Sequence, residues 1–429
     1  MCGDRTRRAI VALLACVCAL SVATSAAAIE LWSDESGARS ASLNASLKWT
    51  SVLSHATADT VYFPEEWSAS SLWRFRVATE VRPTTWLAAQ VAYEQRARMV
   101  SEGAGAAGGA SVLPAEVAAP YRVRQLDDTL VEVGSTYSYR HELDRASASI
   151  SLGRADVTVG RQAIGWGRGL LFGAVDIFAP FSPLESDREW RRGIDALRVR
   201  TPLTDLISLD VAAAFGESME ESAFVGRVHG YIGDVDGELF AGSRCEDGFY
   251  GASVSLPVLD AELHGEAAVF LSPEPLPAGG SFGSDDLAAK AVIGGSRTFD
   301  VAGGLMLVAE YHYSGFGVSD IEGASDYFED AAFLERYARG DTQTLGRHAC
   351  AVQLSYGFAS LTPFSATWVL SPVDGSGVVV PSVVWVFSDS VTLSASAYLA
   401  YGAAPEGASI MSEYGATPTT GLVQISFYY

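Results

Sequence analysis

The sequence predicts an all-β fold, a single transmembrane antiparallel up-and-down β-barrel of about 16 strands. Three observations predict it. Apolar and polar residues alternate with period two over many segments, as strands with one face on lipid and one on water must. The chain ends on an alternating, aromatic-rich strand. Tight connections alternate with long ones along its length.

Residues 1–28 come first. Arg5, Arg7 and Arg8 form a positive start, Ala9 to Val22 is apolar, and Ala26-Ala27-Ala28 supplies small residues for cleavage. This is the pattern of a Sec signal peptide. A lipoprotein-type box at Leu13-Leu14-Ala15-Cys16 is the competing reading, but it leaves a very short apolar region. Residues 29–429 then form one barrel domain. They contain no further apolar run of about 18 residues, so no transmembrane helix follows. Mean hydropathy is +0.17 and only 19% of residues are charged, with 42 Gly, 17 Tyr and 9 Trp. A barrel that shows an apolar face to lipid accounts for that composition.

The formal charge is −22, and a nucleic-acid partner is excluded on electrostatic grounds. Cys2, Cys16 and Cys18 fall in the leader. Only Cys245 and Cys350 remain, so no disulfide scaffold is implied, and Cys350 reads as lipid-facing.

The strands follow in order. From Ala41 to Trp49, apolar Ala41, Leu43, Ala45, Leu47 and Trp49 alternate with Ser42, Asn44, Ser46 and Lys48. From Leu72 to Arg82, Trp73, Phe75, Val77 and Val81 oppose Arg74, Arg76, Glu80 and Arg82. From Leu259 to Phe270, Asp260, Glu262, His264 and Glu266 share the polar face. A charge at every second position requires that face to see water. Finally Val423, Ile425, Phe427 and Tyr429 alternate with Gln424, Ser426 and Tyr428. This last strand resembles the terminal strand that outer-membrane barrels present to their insertion machinery, with Phe427 and Tyr429 as the signal residues.

Tight connections fall near 82–84, 153–156, 202–205, 257–260, 298–300, 359–362 and 388–390. Long ones fall near 51–71, 99–144, 165–192, 216–246, 272–285, 314–346 and 402–417, with one short connection near 371–376. Residues 121–134 and 222–242 read either as further strands or as loop-borne β-structure, so counts of 14 or 18 stay open. Gly103 to Gly109 is a small-residue, flexible stretch inside a long loop.

The most distinctive segment runs Gly160-Arg161-Gln162-Ala163-Ile164-Gly165-Trp166-Gly167-Arg168-Gly169, then Asp176-Ile177-Phe178-Ala179-Pro180, and on to Gly193-Ile194-Asp195. It resembles the strand–loop–strand block of the porin-like and alginate-export-like outer-membrane barrels, in detail over about 40 residues. The resemblance implies passive transport without a fixed substrate. The third loop, residues 165–192, is then expected to fold into the lumen. Glycines permit its irregular backbone, and Trp166, Phe172, Asp176, Phe178 and Phe181 are its expected anchors. Strict alternation puts Arg161 on the lipid face, so a bulge or the membrane interface is expected there.

Alternation also places the lumen charges. Lys48, Arg74, Arg76, Arg82, Arg96, Arg198 and Arg200, with Arg168 from the loop, are expected to form a basic wall. Asp210, Asp260, Glu262, Glu266 and Glu310 are expected to form an acidic one. Opposed walls give a transverse field that favours small polar or dipolar solutes. Glu80, Glu94 and Lys290 break the pattern, and internal pairing that closes the lumen is the opposing reading.

Asp320, Glu322, Asp326, Glu329, Asp330, Glu335 and Asp341 crowd one outer loop, and Asp234, Asp236 and Glu238 another. Solvated acidic loops are the default reading of both, ahead of a divalent-ion contact to lipopolysaccharide. No metal site, cofactor or enzyme motif is read: G-x-S-x-G, H-E-x-x-H and P-loop patterns are missing. The expectation is therefore an outer-membrane, porin-type channel for small hydrophilic or charged solutes. Its expected partners are lipid, lipopolysaccharide and the insertion machinery, with a homo-oligomer open. An exporter of an anionic polysaccharide and a plugged structural barrel are the alternatives.

Overall fold

The computed structural model describes residues 29–56, 62–102, 113, 119–301, 303–359 and 362–429. The expected leader and the small-residue stretch 103–109 lie outside the described residues. Among the described residues, twenty strands form one antiparallel sheet. They are β1 (Ile29–Ser33), β2 (Ser40–His55), β3 (Trp67–Thr84), β4 (Leu87–Val100), β5 (Asp127–Val133), β6 (Tyr137–Leu152) and β7 (Ala155–Gln162). Next come β8 (Ile194–Pro202), β9 (Ile207–Ala214), β10 (Ala223–Ile232), β11 (Val235–Arg244), β12 (Asp247–Val258) and β13 (Ala261–Leu271). The series ends with β14 (Leu287–Phe299), β15 (Leu305–Ser314), β16 (His348–Ala359), β17 (Thr362–Leu370), β18 (Gly377–Ser388), β19 (Val391–Tyr401) and β20 (Thr419–Tyr428).

Eighteen of these close a ring. Each neighbours the next, and β20 pairs with β2 from Ser46↔Tyr428 to His55↔Thr419. Closure removes both sheet edges, the condition for strands to cross lipid. β1 and β5 stand outside the ring. β1 extends the β2 edge below the end of β20, and β5 folds back on β6 beyond β7.

The ring has 18 strands rather than 16, the larger of the counts the sequence left open. The extra pair is β10–β11, inside the stretch read as a long loop at 216–246. Its residues misled for physical reasons. Gly226, Gly230, Gly237 and Gly242 lower strand propensity. Ala223, Val225 and Phe240 are apolar yet buried on the inner face. The turn into β12 is made by Cys245 and Glu246, both at positive φ (47° and 70°), without the Gly or Asn that usually marks such a turn. Asp236 and Glu238 therefore belong to a wall strand, not to an outer loop. The other ambiguous stretch, 121–134, contributes only β5.

The alternation itself holds. Leu53, Phe75, Val159, Leu197, Leu263, Ile293 and Val423 are exposed on the outer face. Their neighbours Lys48, Arg74, Arg76, Glu266 and Glu310 are buried on the inner one. Aromatic side chains ring both ends, with Trp67, Trp368 and Tyr401 at the loop end and Trp86, Trp385 and Phe387 at the turn end. Such belts suit membrane interfaces.

Arg161 stays on the outer face but is covered. Its guanidinium pairs with Asp195 at 2.8 Å and donates to the Gln125 and Leu143 carbonyls, also at 2.8 Å. Residues 121–126 thus shield it. The expected bulge lies next door, where β6 skips Asp144 against β4. Cys245 and Cys350 are free thiols.

Candidate functional site

Residues 163–193, between β7 and β8, carry the site. Their path is set by glycine. Gly167 has φ +108°, and a Cβ on Gly169 would sit 1.9 Å from the Phe172 carbonyl oxygen. The tight course turns a row of backbone N–H groups toward two wall carboxylates. Glu266 of β13 accepts from the N–H groups of Arg168, Gly169 (2.7 Å), Ala174 (2.6 Å) and Val175 (3.3 Å). Glu310 of β15 accepts from Leu170 (2.6 Å), Leu171 and Phe172 (2.9 Å each), and from His264 Nε2 (2.8 Å). Successive N–H groups around a carboxylate form an anion-holding nest, and charged acceptors give the stronger hydrogen bonds.

Aromatic packing fixes the rest. Trp166 meets Phe178 edge-on at 4.9 Å and donates from Nε1 to Asp210 at 3.2 Å. Phe172 stacks on His312 at 5.0 Å. Asp176 pairs with Arg191, whose guanidinium lies over the Phe181 ring at 4.9 Å. Further on, Asp187 accepts from Lys48 at 2.8 and 2.9 Å and from Arg74 at 3.0 Å. Tyr428 of β20 donates to Glu189 at 2.8 Å. The segment is therefore tied to β2, β3, β9, β13, β15 and β20.

The basic residues share carboxylates of their own wall. Arg74 makes two 3.1 Å bonds to Glu94, and Arg76 pairs with Asp144. Arg96 bridges Glu94 and Glu142, and Arg122 donates to Glu142 at 2.6 Å. Trp190 lies beneath three cations, with Lys48 at 4.0 Å, Arg76 at 5.0 Å and Arg74 at 5.6 Å from its ring centre. Elsewhere Arg198 binds Asp210 at 2.6 and 2.9 Å, and Arg227 joins Asp210 to Glu238 at 3.0 and 2.9 Å. Arg168 pairs with Asp236.

The structure thus brings together Lys48, Arg74, Arg76 and Arg96, and separately Glu266 and Glu310 with the loop. Other candidates sit elsewhere. Arg82 pairs with Glu80 and Asp260 with Arg297, both exposed at the turn end. Arg200 also lies near that end, opposite Asp210 and Asp156 in the register, and Glu262 accepts from Ser255. Phe427 and Tyr429 lie at the β20–β2 closure, where Tyr429 exchanges two backbone bonds with Ala45. Sequence reasoning missed Glu142, Asp144, Asp187 as a partner of Lys48, and Trp190. The first two lay within the stretch read as loop, although Tyr137 to Glu142 alternates.

Two spaces flank the segment. The larger, about 940 Å³ and open to solvent, lies between Phe181 and Trp190 on one side and Arg76, Arg96 and Asp144 on the other. A smaller one of about 450 Å³ is bounded by Leu171, Asp176, Arg188 and Gln343.

No protein-family model matches the chain, and no curated protein matches it. Solved structures do. OccK9 (OpdG) of Pseudomonas aeruginosa aligns with a TM-score of 0.54 at 10% identity, covering 90% of this chain and 98% of that one. A BenF-like porin from Pseudomonas fluorescens Pf-5 aligns with a TM-score of 0.52 at 10% identity, with the same two coverages. At this identity the likeness establishes a shared fold, the porin-type barrel.

Proposed function

We propose that this porin-type barrel is an outer-membrane channel of a Gram-negative envelope, passing small hydrophilic or charged solutes passively. In this reading residues 165–192 lie inside the lumen and narrow it. One observation carries it. The segment is bonded to strands spread around the ring, yet leaves a solvent-open space of about 940 Å³ against a charged wall. A water-filled path lined by charge, with irregular backbone only on its inside, is what a channel requires.

The charged lining acts as neighbouring ion pairs more than as two opposed walls. Such a lining weakly prefers one sign of charge and suits polar or dipolar solutes. It speaks against a conduit for an anionic polysaccharide, which a continuous basic path would serve. Catalysis is not part of the reading. Arrival by Sec export through residues 1–28, insertion through the Phe427–Tyr429 end, contact with lipid and lipopolysaccharide, and a homo-oligomeric state complete it.

One observation favours a second reading. The ion pairs and loop packing fill much of the inner face, as a plugged structural barrel would need. Planar-bilayer recording of refolded protein separates the two. Stable current steps support the channel. Silence from protein with verified barrel fold rejects it in favour of the plug.

A further inference from the structure

Every neighbouring pair in the ring but one is joined by a connecting stretch of chain. The exception is the seam between β2 and β20, the first and last ring strands, which holds by pairing alone. Bringing such distant segments together carries the full loop-closure cost, with no turn to keep them paired. Toward the loop end, side chains bond directly across the seam on its buried face. Ser54 meets Thr420 and Thr50 donates to Gln424, each at 2.9 Å.

Toward the turn end the pattern changes. The Lys48 side chain, 1% exposed and opposite Ser426, has no bond to β20 among the described residues. Its ammonium turns instead to Asp187 at 2.8 and 2.9 Å and to Glu189 at 2.5 Å. Glu189 in turn accepts the Tyr428 hydroxyl of β20 at 2.8 Å, and Asp187 accepts Arg74 of β3 at 3.0 Å. Two carboxylates two residues apart thus span β20, β2 and β3. Their aim is set locally. Asp187 also accepts the Glu189 N–H at 3.2 Å, a turn that presents both acids to one ammonium. Trp190 closes over that ammonium, its ring centre 4.0 Å away. The foot of the turn is fixed as well. The Gly193 N–H donates to Asp144 at 2.9 Å, and Arg145 of β6 donates to the Arg191 carbonyl. A buried ammonium is stable only when paired, so β2 and the 187–190 turn hold each other in place.

We propose that residues 187–190 are an internal clasp on the barrel's closing seam, in which Asp187 and Glu189 tie β20 to β2 and β3 through Tyr428, Lys48 and Arg74. The clasp is complete only when β20 has met β2, because Glu189 draws one partner from each side of the seam. The positioned turn is therefore a property of the closed ring, and the closed ring gains a bridge that its two seam strands do not make themselves. The inference does not depend on the channel reading, since a silent barrel needs the same closure.

Hydrogen exchange of refolded full-length protein reads the seam directly. D187N/E189Q keeps acceptor oxygens in place but removes both negative charges from Lys48. Amides of residues 46–55 and 419–428 are expected to exchange faster by about tenfold or more, while residues 251–268 of β12 and β13 stay at wild-type rates. Y428F is the milder variant and cuts only the β20 arm. About a tenfold rise at the same seam amides is expected, the effect of losing one hydrogen bond to a charged acceptor. Wild-type exchange at the seam in D187N/E189Q, with faster exchange at 185–191, overturns the inference, because the turn would then rest on a seam it does not hold. An equal rise in β12 and β13 also overturns it, since a general loss of stability would then be responsible. An unchanged seam in Y428F overturns it too, and decides alone should D187N/E189Q fail to fold.

Discussion

Replacing Glu266 with glutamine tests whether wall carboxylates hold the 163–193 segment. The carboxylate is buried and accepts four backbone N–H groups, two on each oxygen. Glutamine keeps one acceptor oxygen. Its amide nitrogen then faces two N–H donors with nothing to offer them. Each lost charge-assisted bond is worth roughly 1.5–3 kcal/mol, so the segment should lose about 3–6 kcal/mol of docking free energy. At about 1.4 kcal/mol per tenfold change, that is at least a hundredfold rise in the undocked population. Glu310 continues to hold residues 170–172, so the release should centre on residues 168–175 rather than spread to the barrel.

Hydrogen exchange reads this without relying on transport. Amides of residues 168–175 should exchange about a hundredfold faster in E266Q, since exchange of docked amides follows the local opening equilibrium. Amides of β2 and β3 should be unchanged. Equal protection in E266Q and wild type would refute the nest argument, because no other acceptor is available to the Arg168, Gly169, Ala174 and Val175 N–H groups among the described residues.

Three further outcomes follow from the same geometry. E94Q removes the carboxylate shared by Arg74 and Arg96, so reversal potentials should move toward anions; a move toward cations would contradict the pairing scheme. G169A forces a Cβ to within 1.9 Å of the Phe172 carbonyl, so the segment should shift at a cost of about 1–3 kcal/mol, visible as faster exchange at 165–175; unchanged protection would show that the tight turn is not needed. Glu413, which caps the Leu345 and Gly346 N–H groups at 2.6 Å beside Asp374, Tyr337 and Tyr414, is pushed up to about 7 by burial, against the two N–H donors and with help from Asp374. The folded loop then keeps a proton the unfolded one gives up. Loop docking should be firmest below the ordinary glutamate range and weaken as pH rises to 7, and a pH-independent exchange rate at 340–346, after correction for intrinsic rates, would contradict it.

What the sequence made legible depends on what physics writes locally. A strand between water and lipid must alternate, so β2, β3 and β13 could be read residue by residue. The 160–169 segment stood out because dense glycine beside tryptophan and arginine suits few structures. The β10–β11 hairpin could be read only as an ambiguous stretch, strand or loop-borne β-structure. Its inner face mixes Ala223, Val225 and Phe240, which join the cluster around Trp166 and Phe178, with the paired charges Arg227, Asp236 and Glu238, so no alternation marks it, and the apolar demand comes from a distant segment. Partner choice was equally hidden. Lys48 finds Asp187, 139 residues away, and Glu310 finds the Leu171 N–H at the same separation. No periodicity encodes such pairs. Alternation says which face a charge lies on, not what meets it there.

That distinction changes how the lining is understood. Reading faces alone put arginines on one side and carboxylates on the other, with a field between them. Reading partners shows Glu94, Glu142 and Asp144 interleaved with the arginines, as burial of so many guanidinium groups demands. Glu266 and Glu310, meanwhile, have their oxygens occupied by loop N–H groups, so their charge is spent largely on holding the loop. In the proposed channel, a solute passing the wall meets mainly adjacent opposite charges, whose field falls off faster than that of a single sign. Discrimination by net charge in that channel must then come from places where compensation is incomplete, and the wall where Arg74, Arg76, Arg96, Arg122, Arg145 and Arg192 share Glu94, Glu142 and Asp144 is one of them.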